Sequence, residues 1–343
     1  MRAEVITAGQ SMSEEIILRQ EPVDHARFLE NYQGFPDTLQ LLSDPSSGND
    51  VAAYWANRDA DRENVIALIT TRQSSLATNG GNRREYALVG AMNPNVRLAV
   101  IDSPGTGPST KLPPEVMDHT MATGRFDKAA AIVAGALNHA KIYPRAFIGV
   151  GTGGRYAFGI AANAEPGQVH KIGGIDPEGQ SDLGFMAQNL SMLKELFRHE
   201  RAFRAVNQDP YASPHKNFPD IPKEWEEKQP IRVARNLTSS RSAAQIFLQV
   251  PWALRHGGGA MAADMEDALQ NQQVARLDYV SPEKSELLKH PGDPVRVLGH
   301  LSADAVARVR IIRVPEATHY FTAAHPRLVG AIVREIIQEK AAA

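Results

Sequence analysis

The sequence of 343 residues contains no cysteine. This absence excludes disulfide bonds, thiolate nucleophiles and metal sites built on thiolates. Long apolar runs are also missing: nothing approaches the roughly 20 apolar residues that cross a bilayer, and polar residues interrupt the first 20 positions, where a signal peptide needs a continuous apolar core. We therefore expect no membrane partner, and a location in the cytoplasm or in a larger particle.

Charge of one sign does not dominate either, since 37 Lys and Arg residues face 39 Asp and Glu residues, for a net charge of −2. Such a balance argues against general binding to nucleic acid. Apolar residues at 43% and charged residues at 22% are typical of a globular chain. At roughly 100–200 residues per domain, the length allows two domains, or one large α/β domain with an insertion.

Strand-like and helix-like segments alternate along most of the chain, which predicts crossover units and an α/β fold with a mostly parallel sheet flanked by helices. The predicted strands are Thr38–Leu42, Val51–Trp55, Val65–Ile69, Val96–Ile101, Ala146–Gly149, His170–Ile175, Val295–Leu298 and Val309–Val314. The predicted helices include Pro22–Tyr32, Arg84–Ala91, Phe126–Ile142 and Pro326–Lys340.

Two regions depart from this alternation. Residues 1–36 lack clean periodicity and predict an N-terminal arm that either packs on the body or docks on a partner. Residues 178–290 are rich in Gln, Arg, Met and Pro and show helical patterning, so they predict an inserted helical cap. The α/β core then comprises residues 37–177 and 291–343.

Three segments carry a resemblance to a known family. Asp102-Ser-Pro-Gly-Thr-Gly-Pro-Ser109 follows one strand, Phe147-Ile-Gly-Val-Gly-Thr-Gly-Gly154 lies between a strand and a helix, and Val314-Pro-Glu-Ala-Thr-His319 follows the last strand. In order and spacing they resemble the α/β-hydrolase superfamily, over roughly residues 38–176 and 293–340. The resemblance implies a serine on a sharp strand-to-helix turn, the nucleophile elbow, together with a histidine and an acid.

The elbow departs from the family's pattern. Aligning G-x-S-x-G-G with this chain puts Gly151 at the position of the nucleophile, and glycine has no side chain to attack with. A shift of one residue offers the hydroxyl of Thr152 instead. After the strand Val65–Ile69, where the family has a His-Gly pair, the chain reads Thr70-Thr71-Arg72-Gln73. We expect Gly151, Gly153, Thr71 and Arg72 to line the pocket, with Arg72 either binding an anion or lying solvated in its loop.

The histidine of the family corresponds to His319, which is either a general base or a residue retained by descent. The acid is less clear, because Ser302 stands where an aspartate is expected after the segment Val295–Leu298. Two carboxylates remain as candidates to orient the imidazole, Asp176 and Asp304. The nucleophile, the acid and the loop after Val65–Ile69, whose His-Gly pair in the family helps to bind the oxyanion, all depart from the family's pattern. We therefore predict that serine-hydrolase activity is absent.

These observations favour a catalytically degenerate homologue that binds a small molecule or serves a structural role, with the arm docking on a protein partner in a homo-oligomer or a larger assembly. One alternative is a non-covalent enzyme of the fold, of the lyase or cofactor-free oxygenase type, with His319 as base. Another is an esterase-like hydrolase that uses Thr152.

A dinucleotide-binding oxidoreductase is a minor alternative. Gly149-x-Gly151-x-x-Gly154 matches the phosphate-binding fingerprint, and Asp176 follows it by 22 residues, as a ribose-binding acid would. Residues 178–290, however, offer none of the strands that complete such a fold. The histidines show no metal-ligand spacing, so we expect neither a metal nor a cofactor.

Overall fold

The computed structural model describes residues 2–7, 13–17, 23–71, 75–76, 80–179, 190, 194, 209–212, 214–221, 245–274, 276–285, 293–319 and 321–338. Their strands form one continuous sheet. In chain order the strands are β1 Arg2–Thr7, β2 Ser13–Ile17, β3 Gln40–Ser43, β4 Asp50–Ala56, β5 Val65–Ile69, β6 Arg97–Ile101, β7 Ala146–Val150, β8 Lys171–Ile175, β9 Leu277–Pro282 and β10 Val309–Val314.

The strand order across the sheet is β2-β1-β10-β9-β8-β7-β5-β6-β4-β3. The central strands from β10 to β6 are parallel, and the pairs at both sides of the sheet are antiparallel. This arrangement confirms the predicted α/β fold with a mostly parallel sheet. Because all central strands point the same way, the loops that follow them meet at one edge, the carboxyl edge.

The helices, in chain order, are α1 His25–Gly34, α2 Gly80–Met92, α3 Pro114–Thr123, α4 Asp127–His139, α5 Thr152–Asn163, α6 Pro214–Asn217, α7 Val250–Leu254, α8 Gly257–Gln272, α9 Asp293–Leu298, α10 Ala303–Ala307, α11 Phe321–Ala324 and α12 Pro326–Ile337. A 3₁₀-helix, Phe35–Thr38, and a π-helix, Gln245–Gln249, complete the helical segments of the described residues.

Helices cover both faces of the sheet. Helices α1, α2 and α12 contribute apolar side chains to one buried cluster, and α4, α5 and α8 contribute to the other. A parallel sheet covered on both faces has strands that are apolar throughout rather than alternating. Strand β5 shows this, since Val65-Ile-Ala-Leu-Ile69 is buried at every position.

The structure corrects two predicted segments. Strand β9, Leu277–Pro282, lies inside the stretch that we expected to be a helical cap, and it pairs in parallel with β8 and β10. Polar residues such as Asp278 interrupt its apolar pattern, which hides a buried strand from the sequence. Conversely, the predicted strand Val295–Leu298 belongs to helix α9; a short apolar run does not distinguish strand from helix. Much of the predicted cap lies outside the described residues.

The beginning of the chain contributes to the same sheet. Strand β1 pairs antiparallel with β10, and β2 pairs antiparallel with β1. Helix α1 begins after Asp24, whose carboxylate caps it by accepting a hydrogen bond from the backbone N–H of Arg27. Of the two outcomes left open for the arm, these segments show packing on the body. Among the described helices, none is long and apolar enough to cross a membrane.

Candidate functional site

Gly151 forms the turn between β7 and α5. Its backbone angles are φ 56° and ψ −126°, in a region that residues with a Cβ rarely adopt. The N–H of Gly151 donates to the carbonyl oxygen of Ile175 (2.9 Å), and the N–H of Gly154 donates to the carbonyl oxygen of Gly151 (2.9 Å). Residue 151 is thereby held at the carboxyl edge of the sheet, at the N-terminus of α5.

Gly153 serves the packing of α5 against the sheet. A Cβ at this position would overlap the carbonyl oxygen of Ile69 and lie 2.8 Å from that of Thr70. We expected Gly153 to line the pocket, but the backbone of β5 occupies the space beside it. Its lack of a side chain lets the helix approach the strand closely enough to fix the turn at Gly151.

Asp176 and His319 meet at this edge. Asp176 follows β8, and its Oδ2 lies 2.5 Å from Nδ1 of His319; the hydroxyl of Ser285 also donates to Oδ2 (3.4 Å). The two side chains are only 2% and 9% exposed. A carboxylate accepts hydrogen bonds, so Nδ1 carries the proton and, in the neutral imidazole, Nε2 is an acceptor. This geometry orients a base.

The other acid candidate lies elsewhere. Asp304 is in α10, exposed, and its carboxylate accepts a hydrogen bond from Arg308 (2.7 Å). Helix α10 precedes β10 and His319 follows it, so a strand that rises ~3.3 Å per residue separates the two. Ser302 caps α10 by accepting a hydrogen bond from the N–H of Ala305. Between the two candidates, the structure brings only Asp176 to the imidazole.

A second carboxylate, which sequence reasoning missed, faces the elbow. The side chain of Glu178 is 1% exposed, and its Oε1 lies 3.9 Å from Nε2 of His319. The same oxygen is 3.3 Å from where a Cβ on residue 151 would stand. The backbone N–H of Glu178 donates to the carbonyl oxygen of Gly151 (3.3 Å). The available signal was a second acid two residues after Asp176, at the same strand end.

Thr152, the first residue of α5, is fully buried. Its hydroxyl donates to Oε2 of Glu178 (2.8 Å). A hydroxyl nucleophile would instead give its proton to the base, here Nε2 of His319. In this arrangement Thr152 supports the carboxylate of Glu178.

Thr71 approaches the elbow from the loop after β5, with its Oγ1 3.0 Å from the Cβ position of residue 151. Arg72, the other residue expected there, lies outside the described residues. Further along, Ser75 Oγ and the N–H of Leu76 donate to Asp102 (2.9 and 3.4 Å). Asp102 is completely buried, and this burial raises its pKa to about 7. The first residue of the Asp102–Ser109 motif thus anchors the segment that follows Thr71.

In the parts of the chain that the structure describes, no three His, Cys, Asp or Glu side chains group as metal ligands. The carboxylate of Asp176, which the dinucleotide hypothesis assigns to a ribose, contacts His319. The residues gathered at the elbow therefore offer a base and two carboxylates as their chemistry.

No family model and no curated protein sequence matches this chain. Solved structures do match. One is E-2-(acetamidomethylene)succinate hydrolase, at 15% identity and a TM-score of 0.55 over 87% of this chain and 98% of the other. MGS-M2, an α/β-hydrolase enzyme from a Medee basin deep-sea metagenome library, matches at 16% identity and a TM-score of 0.56. This match covers 86% of this chain and 97% of the other.

A bromoperoxidase from Bacillus anthracis matches at 10% identity and a TM-score of 0.54, over 88% of this chain and 100% of the other. Identities this low report on fold rather than activity. Together with the strand order and the elbow, they establish that this chain has the α/β-hydrolase fold.

Proposed function

We propose that this protein binds a small molecule over the elbow and that His319, oriented by Asp176, acts on it as a base without forming a covalent intermediate. One observation carries the proposal: the 2.5 Å contact between His319 Nδ1 and Asp176 Oδ2, which places the proton of the neutral imidazole on Nδ1 and makes Nε2 its basic nitrogen. A positioned base contributes about 10²–10⁴-fold to a rate.

The elbow supports the second part of the proposal, that serine-hydrolase chemistry is absent. Gly151 lies in the turn between β7 and α5, to which the resemblance assigns the nucleophile, and the nearby hydroxyl of Thr152 donates to Glu178. Acyl transfer requires a nucleophile that the base deprotonates. We therefore treat the chain as degenerate with respect to ester hydrolysis, and we place the Thr152 hydrolase hypothesis behind the proposal.

A probe that needs only a base tests the site before its natural ligand is known. In 5-nitrobenzisoxazole, removal of the ring C–H proton breaks the N–O bond and releases a coloured nitrophenolate, so the base gains the proton and no other group is needed. We expect the wild-type protein to accelerate this opening, and His319→Ala to lower the rate by about 10²-fold. Equal rates in the two proteins would overturn the proposal.

Two further variants identify the roles of the neighbouring residues. Asp176→Asn should lower the rate nearly as much as His319→Ala, because an amide N–H pointing at Nδ1 favours the tautomer in which Nε2 already holds the proton. Thr152→Ala should still open 5-nitrobenzisoxazole. Neither the wild type nor Thr152→Ala should turn over p-nitrophenyl esters. Ester turnover by the wild type that disappears in Thr152→Ala would favour the hydrolase hypothesis instead.

Gly151 itself favours a second candidate function, ligand binding or assembly without turnover, since loss of the elbow hydroxyl is what such a role would permit. It predicts no acceleration of ring opening in any variant. An assembly role through the N-terminal arm has less support, because β1 uses its backbone to pair with β10 of the same chain. Sedimentation velocity on the purified protein would detect a homo-oligomer directly.

A further inference from the structure

A cleft with a volume of about 580 Å³ lies at the amino edge of the sheet, where the central strands begin. Its volume is in the range of small-molecule sites. Val65 and Arg97, the first residues of β5 and β6, line it. The elbow at Gly151 follows β7, which runs parallel to β5, so it lies at the opposite end of these strands. A molecule in the cleft would therefore be remote from the elbow.

Arg97 is the half-buried cation of this cleft. Its guanidinium carbon lies 4.6 Å from the centroid of the Trp55 ring, and Trp55 is only 7% exposed. Within the described part of the chain, no acceptor is hydrogen-bonded to this guanidinium, and its buried Nε has no partner. A guanidinium has five N–H donors. The tryptophan thus holds Arg97 in the wall of the cleft without supplying an acceptor for those donors.

The charges that act on Arg97 are positive. Burial, Arg62 and Arg58 all lower the pKa of Arg97, because burial and like charges disfavour the charged form. Asp59, next to Arg58 in sequence, binds Arg27 instead (2.9 Å). An anion beside Arg97 would offset this repulsion.

The lining of the cleft indicates the charge and the shape of such an anion. Its ionisable side chains are three cations and one carboxylate, for a net charge of +2: Arg62, Arg97, Lys141 and Glu63. A doubly charged anion balances this sum. Tyr143, in the same wall, is 52% exposed, and its ring offers a surface on which a second ring can pack.

We propose that this cleft binds a phosphate monoester of an aromatic compound, with the phosphate on Arg97 and the ring against Tyr143. A guanidinium donates two parallel hydrogen bonds to phosphate oxygens. Above its second pKa of about 6, the phosphate carries two negative charges. This site goes beyond the proposed function and is independent of it, since the elbow lies at the other edge of the sheet.

Three probes separate the contributions of charge and ring. Phenyl phosphate and phenyl sulfate have similar shapes, but at pH 8 the first carries two negative charges and the second carries one. Inorganic phosphate matches the charge of phenyl phosphate and lacks the ring. Ligand-observed NMR, on protons or on phosphorus, measures binding without turnover. We expect phenyl phosphate to bind about tenfold more tightly than phenyl sulfate, and more tightly than inorganic phosphate.

Variants of the cleft test the assignment of Arg97. Arg97→Gln should weaken the binding of phenyl phosphate by about tenfold or more, the effect of losing hydrogen bonds to a charged group. Arg62→Gln, at an exposed position, should weaken it by less, and it remains informative if Arg97→Gln does not fold.

Arg255→Gln is the matched control. Arg255 also lies over a tryptophan, 4.1 Å from the centroid of the Trp252 ring, but it donates to the carbonyl oxygen of Trp252 (3.0 Å) and does not line the cleft. The substitution removes the same charge as Arg97→Gln and should leave the affinity for phenyl phosphate at the wild-type value.

Phenyl phosphate that does not bind, or binds no more tightly than phenyl sulfate or inorganic phosphate, would overturn the inference. So would an affinity that is unchanged in Arg97→Gln or in Arg62→Gln, or one that falls equally in Arg255→Gln. His319→Ala should bind phenyl phosphate as the wild type does, and a loss of binding in that variant would place the anion at the elbow instead. Failure of the proposed function is seen separately, as ring opening of 5-nitrobenzisoxazole that does not depend on His319.

Discussion

Asp176 and Asp278 are buried carboxylates that belong to neighbouring parallel strands but lie at opposite ends of them. Asp176 is at the carboxyl edge of the sheet, Asp278 is near the amino edge, and the two have different partners. Asp278, near the start of β9, binds the guanidinium groups of Arg310 and Arg276, the latter at 3.1 Å. Asp176, just after β8, binds the imidazole of His319. A guanidinium stays charged at any pH a protein meets, whereas an imidazole gains and loses a proton near neutrality. Burial of a carboxylate therefore does not identify a functional site, and the chemistry of its partner does.

The largest effect on stability should come from the arginine-bound carboxylate. Asp278→Ala removes one of two carboxylates that bind Arg310, which is itself largely buried, and leaves Glu335 at 2.7 Å. We expect the free energy of unfolding to fall by about 3 kcal/mol, the lower end of the cost of breaking a buried ion pair. Urea denaturation measures this value. A loss below 1 kcal/mol would contradict the claim that the arginine-bound Asp278 stabilises the fold more than the histidine-bound Asp176.

Asp102 sharpens the comparison because the hydroxyl of Ser75 and the N–H of Leu76, which are neutral groups, donate to this buried carboxylate. Its pKa is raised by burial to about 7, against ~3.9 in an unfolded chain. Between those values the folded protein holds a proton that the unfolded chain has released, so the unfolding free energy falls as the pH rises, by at most about 4 kcal/mol. Asp102→Asn should remove this dependence.

Other groups titrate in the same range, so the difference between wild type and Asp102→Asn is the relevant quantity. Denaturation curves at pH 4.5 and pH 8 should show the wild type losing stability relative to the variant. A difference that is constant with pH would mean that Asp102 ionises normally in the folded protein.

Asp176→Ala should cost less stability than Asp278→Ala, because the imidazole that loses its partner can remain neutral. We expect about 1–2 kcal/mol, the range for a lost buried hydrogen bond. The same variant should strongly reduce the opening of 5-nitrobenzisoxazole. A large loss of stability with unchanged ring opening would reverse the roles assigned to the two carboxylates.

The smallest effect should come from Asp304→Ala. The side chain of Asp304 is 81% exposed and pairs with Arg308 one helical turn away, an interaction worth about 0.5 kcal/mol or less. Ring opening should equal that of the wild type, which makes this variant the matched control for Asp176→Ala. Reduced ring opening would restore Asp304 as the partner of His319.

Much of the fold was predictable because its signals are local. The apolar run Val65–Ile69, the glycines around residue 151 and the last strand, Val309–Val314, each predicted their element. Strand β9 was not predicted because Asp278 breaks its apolar pattern. The charge of Asp278 is balanced by Arg276, two residues before it, and by Arg310, which is distant in sequence. Such compensation becomes visible only when the partners are brought together.

The site was predictable only in part. Motif order placed His319, and a strand end offered Asp176, but the choice between Asp176 and Asp304 depends on which edge of the sheet each occupies. That choice required knowing that residues 295–298 form helix α9 and that β9 stands between β8 and β10. Glu178 was missed because none of the motifs used for the sequence includes a carboxylate two residues after the end of β8.

Treatment of the wild-type protein with a fluorophosphonate, which modifies activated serine and threonine nucleophiles, tests most directly whether the elbow lacks a nucleophile. Intact mass spectrometry reads the result without a known substrate. We expect the mass to remain unchanged while the same protein opens 5-nitrobenzisoxazole in a manner that depends on His319. An adduct on Thr152 that disappears in Thr152→Ala and in His319→Ala would contradict the account.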